Sequence, residues 1–248
     1  GRAIVVGQTT STDYPTVNPY QSSFAFGGND IVLGRLSSTG TLEYSTFYGG
    51  TSEEQARAVA VGNDGSIYIT GLTTGNFPTV NPGQSSNGGG TDAFVMKWRN
   101  LTQAPVYATY YGGVGEDSGN AIAVGVNGEV VIGGSTSWDY NFPVVGATQT
   151  FGGNGDGFVG RLSSDGQTVL FSTFYGGNNT DSVNGVALSY NGYISAVGET
   201  SSGNLPTRNP AQSSIAGFSD AFFARFGPVR PPVITSFSSD TGSSGSDK

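Results

Sequence analysis

Short alternating runs separated by turn residues make up most of the chain. In one stretch Ala56 to Val61 alternates, Asn63-Asp64-Gly65 turns, and Ser66 to Leu72 follows through Ile67-Tyr68-Ile69-Thr70. β-Branched and aromatic runs on either side of an Asn/Asp-Gly turn are the signature of a β-hairpin. Asn127-Gly128 and Asn191-Gly192 mark the same turn further along. Behind the hairpin comes a long loop rich in Pro, Asn, Ser and Gly, from about Thr73 to Thr91. A third run, Asp92 to Trp98, and a fourth, Val106 to Tyr111, complete the unit. No stretch sustains a 3.6-residue apolar period between caps, so almost no helix is expected.

The unit recurs. Phe47-Tyr48-Gly49-Gly50 returns as Tyr110-Tyr111-Gly112-Gly113 and as Phe174-Tyr175-Gly176-Gly177, at spacings of 63 and 64 residues. A large side chain followed by Pro appears as Tyr14-Pro15, Phe77-Pro78, Phe142-Pro143 and Leu205-Pro206. An Asp opens an apolar run at Asp30, Asp92, Asp156 and Asp220, and a base follows five residues later at Arg35, Lys97, Arg161 and Arg225. Several independent markers sharing one period define a repeat architecture.

Four antiparallel strands per unit, at a period above 40 residues, predict the blades of a β-propeller in an all-β fold. The first strand of each unit is small and aliphatic (Ala56, Ala58, Val59, Ala60; Ala121, Ile122, Ala123, Val124; Val186, Ala187, Leu188), as crowding near an axis demands. The fourth is aromatic (Tyr44, Phe47, Tyr48; Tyr107, Tyr110, Tyr111; Phe171, Phe174, Tyr175), as an outer strand with more room allows. A β-sandwich does not explain the strict repeat, and a solenoid coil is usually shorter.

On these residues, and on the combined pattern YSTFYGG, ARAVAVGNDGSIYITGLTTGNFPTVNP and GGGTDAFVMKW, the chain resembles the bacterial SBBP-type β-propeller repeat over about residues 3–227. The resemblance implies a propeller in an extracellular or cell-surface protein and implies no activity. The long insertions between the second and third strands depart from the usual repeat.

The expected units are 1–50, 51–113, 114–177 and 178–227. The first lacks its inner strand, and the fourth lacks an aromatic outer strand. This makes the chain read as part of a longer polypeptide, with a compact four-bladed ring as the rival. Residues 228–248 read as a Pro-rich linker (Pro228, Pro231, Pro232) followed by a segment that resembles the opening of a bacterial Ig-like module.

Composition narrows the chemistry. The 248 residues include 41 Gly, no Cys and no His, and the formal charge is −8. A Ser-His-Asp triad, a Cys nucleophile and a His/Cys zinc site are excluded. The acidic balance argues against a nucleic-acid partner. No apolar run reaches the length of a membrane helix, so no membrane insertion is expected. No signal peptide is evident at the start, so it is expected to be absent or already removed. Scarce charge, a single Met and abundant small polar residues suit a secreted bacterial surface protein.

Metal candidates are the repeated Asp30, Asp92, Asp156 and Asp220 and the inter-unit acids Glu54, Asp117 and Asp181, with calcium as the ion, because Ca²⁺ takes six to eight oxygens. Against calcium stand two bland roles: strand-entry Asp bonded to local backbone N–H groups, and acids solvated in loops. With Asp13 and Asp139 in the long loops, these acids predict one acidic face. The repeated bases are expected to pack their stems between blades. Tyr20, Phe24, Phe26, Trp138 and Tyr140 are candidates for stacking on a glycan, or for loop packing. Asn100-Leu101-Thr102 and Asn178-Asn179-Thr180 match the glycosylation pattern, incidentally in a bacterial chain.

The leading expectation is a non-enzymatic extracellular assembly module of a large surface or filament-forming protein, needing no cofactor. Its partners are other copies of itself or further domains of the same polypeptide. The alternative is a glycan- or calcium-dependent binding propeller of an adhesin. The third is a carboxylate glycosidase or lyase. Glu53 and Glu54 are adjacent in a Gly-rich loop, and such chemistry needs carboxyls placed across a sugar.

Overall fold

In a computed structural model, which describes residues 1–99 and 101–228, the protein is all-β. Asn100 and the expected Ig-like segment lie outside the described residues. Fourteen strands alternate with turns and long loops: β1 (Ala3–Thr9), β2 (Asp30–Leu36), β3 (Leu42–Tyr48), β4 (Glu54–Val61), β5 (Ile67–Thr73), β6 (Asp92–Trp98), β7 (Tyr107–Tyr111), β8 (Asp117–Val124), β9 (Val130–Thr136), β10 (Asp156–Leu162), β11 (Val169–Tyr175), β12 (Asp181–Leu188), β13 (Ile194–Thr200) and β14 (Asp220–Phe226). They pair in chain order into four antiparallel sheets: β1-β2-β3, β4-β5-β6-β7, β8-β9-β10-β11 and β12-β13-β14. The hairpin turns use Gly65, Gly128 and Gly192 at positive φ, which only Gly adopts at no steric cost.

The sheets pack in sequence. β1 lies on β4, β4 and β5 lie on β8, and β8 and β9 lie on β12. Among the described residues, no strand of the first sheet packs on the fourth to a comparable extent. Each junction has its own core. Ile31, Leu33, Tyr44 and Tyr48 meet Ile69, Phe94, Met96 and Trp98 across the first. Tyr68, Val95, Tyr107 and Tyr111 meet Ile132, Phe142 and Phe158 across the second. Val131, Val159 and Phe171 meet Val183, Ile194, Phe222 and Phe226 across the third. Full burial of each large apolar side chain contributes about 1.5–3 kcal/mol.

The aromatic fourth strands therefore fill the junctions instead of standing free on an outer rim. They also tie down the long loops. Phe77 stacks on Phe94 at 4.8 Å between centroids, and Phe142 lies 5.0 Å from Phe158. The Tyr48 hydroxyl donates to the Pro78 carbonyl, and Tyr175 donates to Pro206 O at 2.9 Å. At Phe77-Pro78 and Leu205-Pro206 the large-residue–Pro pair is thus a plug that a tyrosine of the preceding sheet holds.

Candidate functional site

The repeated acids do not form an exposed face. Asp30, Asp92 and Asp156 open β2, β6 and β10, while Glu54, Asp117 and Asp181 open β4, β8 and β12, and all six are buried. Expecting the second group in solvated loops fails because strand pairing begins at the acid itself: Glu54 pairs with Thr73, Asp117 with Thr136 and Asp181 with Thr200. Asp220 opens β14 and is half-buried, while Asp13 and Asp139 are exposed.

Local geometry explains each position. The second Gly of every Gly-Gly turn donates its N–H to the acid four residues on: Gly50 to Glu54 Oε2 at 3.0 Å, Gly113 to Asp117 Oδ2 at 2.7 Å and Gly177 to Asp181 Oδ2 at 2.7 Å. The strand-opening Asp is held from the long loop. Its Oδ2 accepts from Ala25 N in the first sheet, Gly88 N in the second, Gly152 N in the third and Ala216 N in the fourth. A glutamine also reaches it: Gln21 Nε2 to Asp30 Oδ2 at 3.1 Å, Gln84 to Asp92 at 2.9 Å and Gln212 to Asp220 at 2.6 Å. The bland role expected for this Asp, fixing strand entry through backbone N–H groups, is present at Oδ2. The glutamine was missed in the sequence, although Asn-Pro-x-Gln-Ser-Ser recurs at 18–23, 81–86 and 209–214.

At each junction the two acids converge on the first Gly of the Gly-Gly turn. A Cβ on Gly49 would stand 2.7 Å from both Asp30 Oδ1 and Glu54 Oε2. One on Gly112 would stand 2.6 Å from Asp117 Oδ2 and 3.0 Å from Asp92 Oδ1, and one on Gly176 would meet Asp156 Oδ1 and Asp181 Oδ2. The Oδ1 atoms of Asp30, Asp92, Asp117, Asp156 and Asp181 are buried without a hydrogen-bond partner. Burial pushes the carboxyls up from the ordinary range: Glu54 and Asp92 to about 7, Asp117 and Asp156 to about 6, with the facing acid adding to the rise at Glu54, Asp92 and Asp156. Desolvation disfavours the charged form, and a like charge adds to it. Among the described residues, no group of three or more acids is assembled.

The adjacent Glu53 and Glu54 are separately engaged. Glu53 Oε1 accepts from Asn29 Nδ2 at 3.0 Å and from Gln55 Nε2, while Glu54 Oε1 accepts from Thr73 Oγ1 at 3.2 Å. The repeated bases pack as structural groups. Lys97 is buried, with Nζ 3.4 Å from Ser164 O and 5.1 Å from the Tyr68 ring. Arg35 pairs with Glu43, Arg161 pairs with Glu129, and Arg225 lies over Tyr193. Of the loop aromatics, Phe24 is buried, whereas Tyr20, Phe26, Trp138 and Tyr140 present rings to solvent. Along the first strands Arg57 Nη1 donates to Ser118 Oγ and Asn120 Oδ1, and Asn120 Nδ2 donates to Ser182 Oγ, giving a polar ladder from sheet to sheet. Arg57 and Asn120 sit at β-bulges, which strand patterning does not mark.

No protein-family model matches the chain, so the SBBP resemblance rests on the repeat markers alone. Over 189 residues, 74% of this chain, the sequence is 29% identical to the regulatory protein FlaEY of Caulobacter vibrioides. The matched segment is 19% of that protein's length.

Proposed function

We propose that the four sheets are blades of a β-propeller-type array and that the chain is a non-enzymatic assembly module of a larger extracellular bacterial protein. The observation that carries this reading is the outer edge of the fourth sheet. In the first three sheets the long loop bridges to the outermost strand, through Val17–Ser45, Val80–Ala108 and Val145–Ser172. In the fourth, β14 is the outermost of the described strands, and a groove of about 520 Å³ lies beside it, lined by Tyr175, Leu205, Gln212, Asp220 and Phe222 among others. An edge strand beside a groove of mixed polar and apolar lining invites addition of a further strand. The strand it suits is the aromatic outer type of this same repeat. Absent Cys and sparse charge support the extracellular setting, and a repeated module with no catalytic constellation among the described residues supports a structural role.

The test is strand donation in trans. A synthetic peptide of residues 166–177 should bind saturably, raise the melting temperature and disperse assemblies seen by light scattering. Monodisperse chains at every concentration, indifferent to the peptide, would refute the reading.

A further inference from the structure

We propose that each junction between consecutive sheets is a binding site for a hard divalent cation of the calcium class, held between Asp30 and Glu54, between Asp92 and Asp117, and between Asp156 and Asp181. Three independent features meet at these points. The acids are fully buried, and five of their oxygens lack any partner. At each junction one acid presents an unpartnered oxygen, and the facing acid an oxygen bonded to the turn, to the same glycine; on Gly49 a Cβ would stand 2.7 Å from both Asp30 Oδ1 and Glu54 Oε2, so the two carboxyls meet at close quarters. The remaining oxygens accept from N–H and O–H donors, such as Gly88 N and Gln84 Nε2 at Asp92, or Gly177 N and Ser202 Oγ at Asp181. Donors of this kind favour the ionised form. Each pair is thus built as two carboxylates facing one another in a dry interior. Such an arrangement is costly unless a positive charge lies between them.

No Lys or Arg is among the groups acting on Asp30, Glu54, Asp92, Asp117 or Asp156; the charged and titratable groups that do act are other acids, Glu53 beside Glu54 and Glu116 beside Asp117. The donor set is oxygen only, which selects a hard ion over zinc or copper. Two carboxylates fall short of a calcium shell, so the ion is completed by carbonyls of the glycine-rich loops and by water. Asp220 has the same glutamine and loop N–H but, among the described residues, no facing acid, so the described residues hold three such sites.

The rival neutraliser is one proton shared within each pair. Chelator-treated protein titrated with CaCl₂ distinguishes them. Cation binding predicts three equivalents by calorimetry and a melting temperature that rises with free calcium. Asp117→Asn should remove one equivalent. Gly112→Ala, which removes no acid but drives a Cβ against both carboxyls, should weaken that same site at least tenfold, so the idea stays testable if the first variant folds poorly. A melting temperature indifferent to both chelator and calcium, at pH 6 and at pH 8, would overturn the proposal in favour of the shared proton. Because peptide binding at β14 involves none of the six acids, its failure and this one are separable.

Discussion

Gly71, Gly134 and Gly198 each hold the fifth position of the second strand in their sheets, opposite a bulge in the first strand. A Cβ on Gly134 would run into the Ser118 carbonyl and stand 2.8 Å from the Phe158 ring; Gly71 meets Gln55 O and Phe94 in the same way. Bulge and glycine are therefore one device, in which the extra residue pushes a carbonyl into the space a side chain needs. Gly7 holds the same position in β1, where no first strand faces it, and a Cβ there meets only Val32 Cγ2 at 3.9 Å. Gly134→Ala should cost about 1–3 kcal/mol through overpacking. Gly7→Ala should stay within about 0.5 kcal/mol. Urea denaturation of the two variants decides this; equal losses would show that strand propensity, not the bulge, sets the need for glycine.

At the scale of strands and junctions, pH offers a second check. Glu54 and Asp92, pushed up to about 7, and Asp117 and Asp156, pushed up to about 6, bind protons in the folded protein that they release in the unfolded chain near pH 4. Their folded values are raised, so their contribution is fully present below the unfolded values and is lost as pH rises through the folded ones. Calcium-free protein should therefore melt at progressively lower temperature between about pH 4 and pH 7. A flat profile in chelator would mean that the carboxyls are better solvated than their burial implies. The strand starts behind this behaviour were legible in the sequence, since Asp92–Trp98 is read from the chain with the bounds that β6 shows. The pairing of the acids was not. Asp92 and Asp117 lie on different sheets, and only the packing of β8 on β6 brings the Asp of a loop-like Glu-Asp dipeptide into a dry junction, while Glu116 stays exposed. Period-2 patterning fixes which face a residue takes within its sheet, and it is silent about which neighbouring sheet that face meets.

Across the whole molecule, stability should be graded from the middle outward. Among the described residues, the second and third sheets pack on a neighbour at both faces, whereas the first and fourth pack on one. At the fourth sheet this shows three residues past the strand-opening Asp, where Phe223 is 66% exposed with Val197 beside it at 48%, while Leu33, Val95 and Val159 at the same position are 0% exposed; at the first sheet it shows in Val5, 52% exposed. Stacked repeats of this kind gain stability from nearest-neighbour interfaces, so terminal units open first. Hydrogen exchange should thus be slowest in β5, β6, β9 and β10 and fastest in β1, β13 and β14. If the fourth sheet is an assembly surface, protection in β13 and β14 should rise with protein concentration while that in β6 stays constant. Hydrophobic contact through Phe223 and strand pairing along β14 are little screened by salt, so the rise should survive high ionic strength, unlike exposed ion pairs worth about 0–1 kcal/mol each. Uniform protection across all four sheets at low concentration would instead show that the array unfolds as one cooperative body, and its ends would then need no partner.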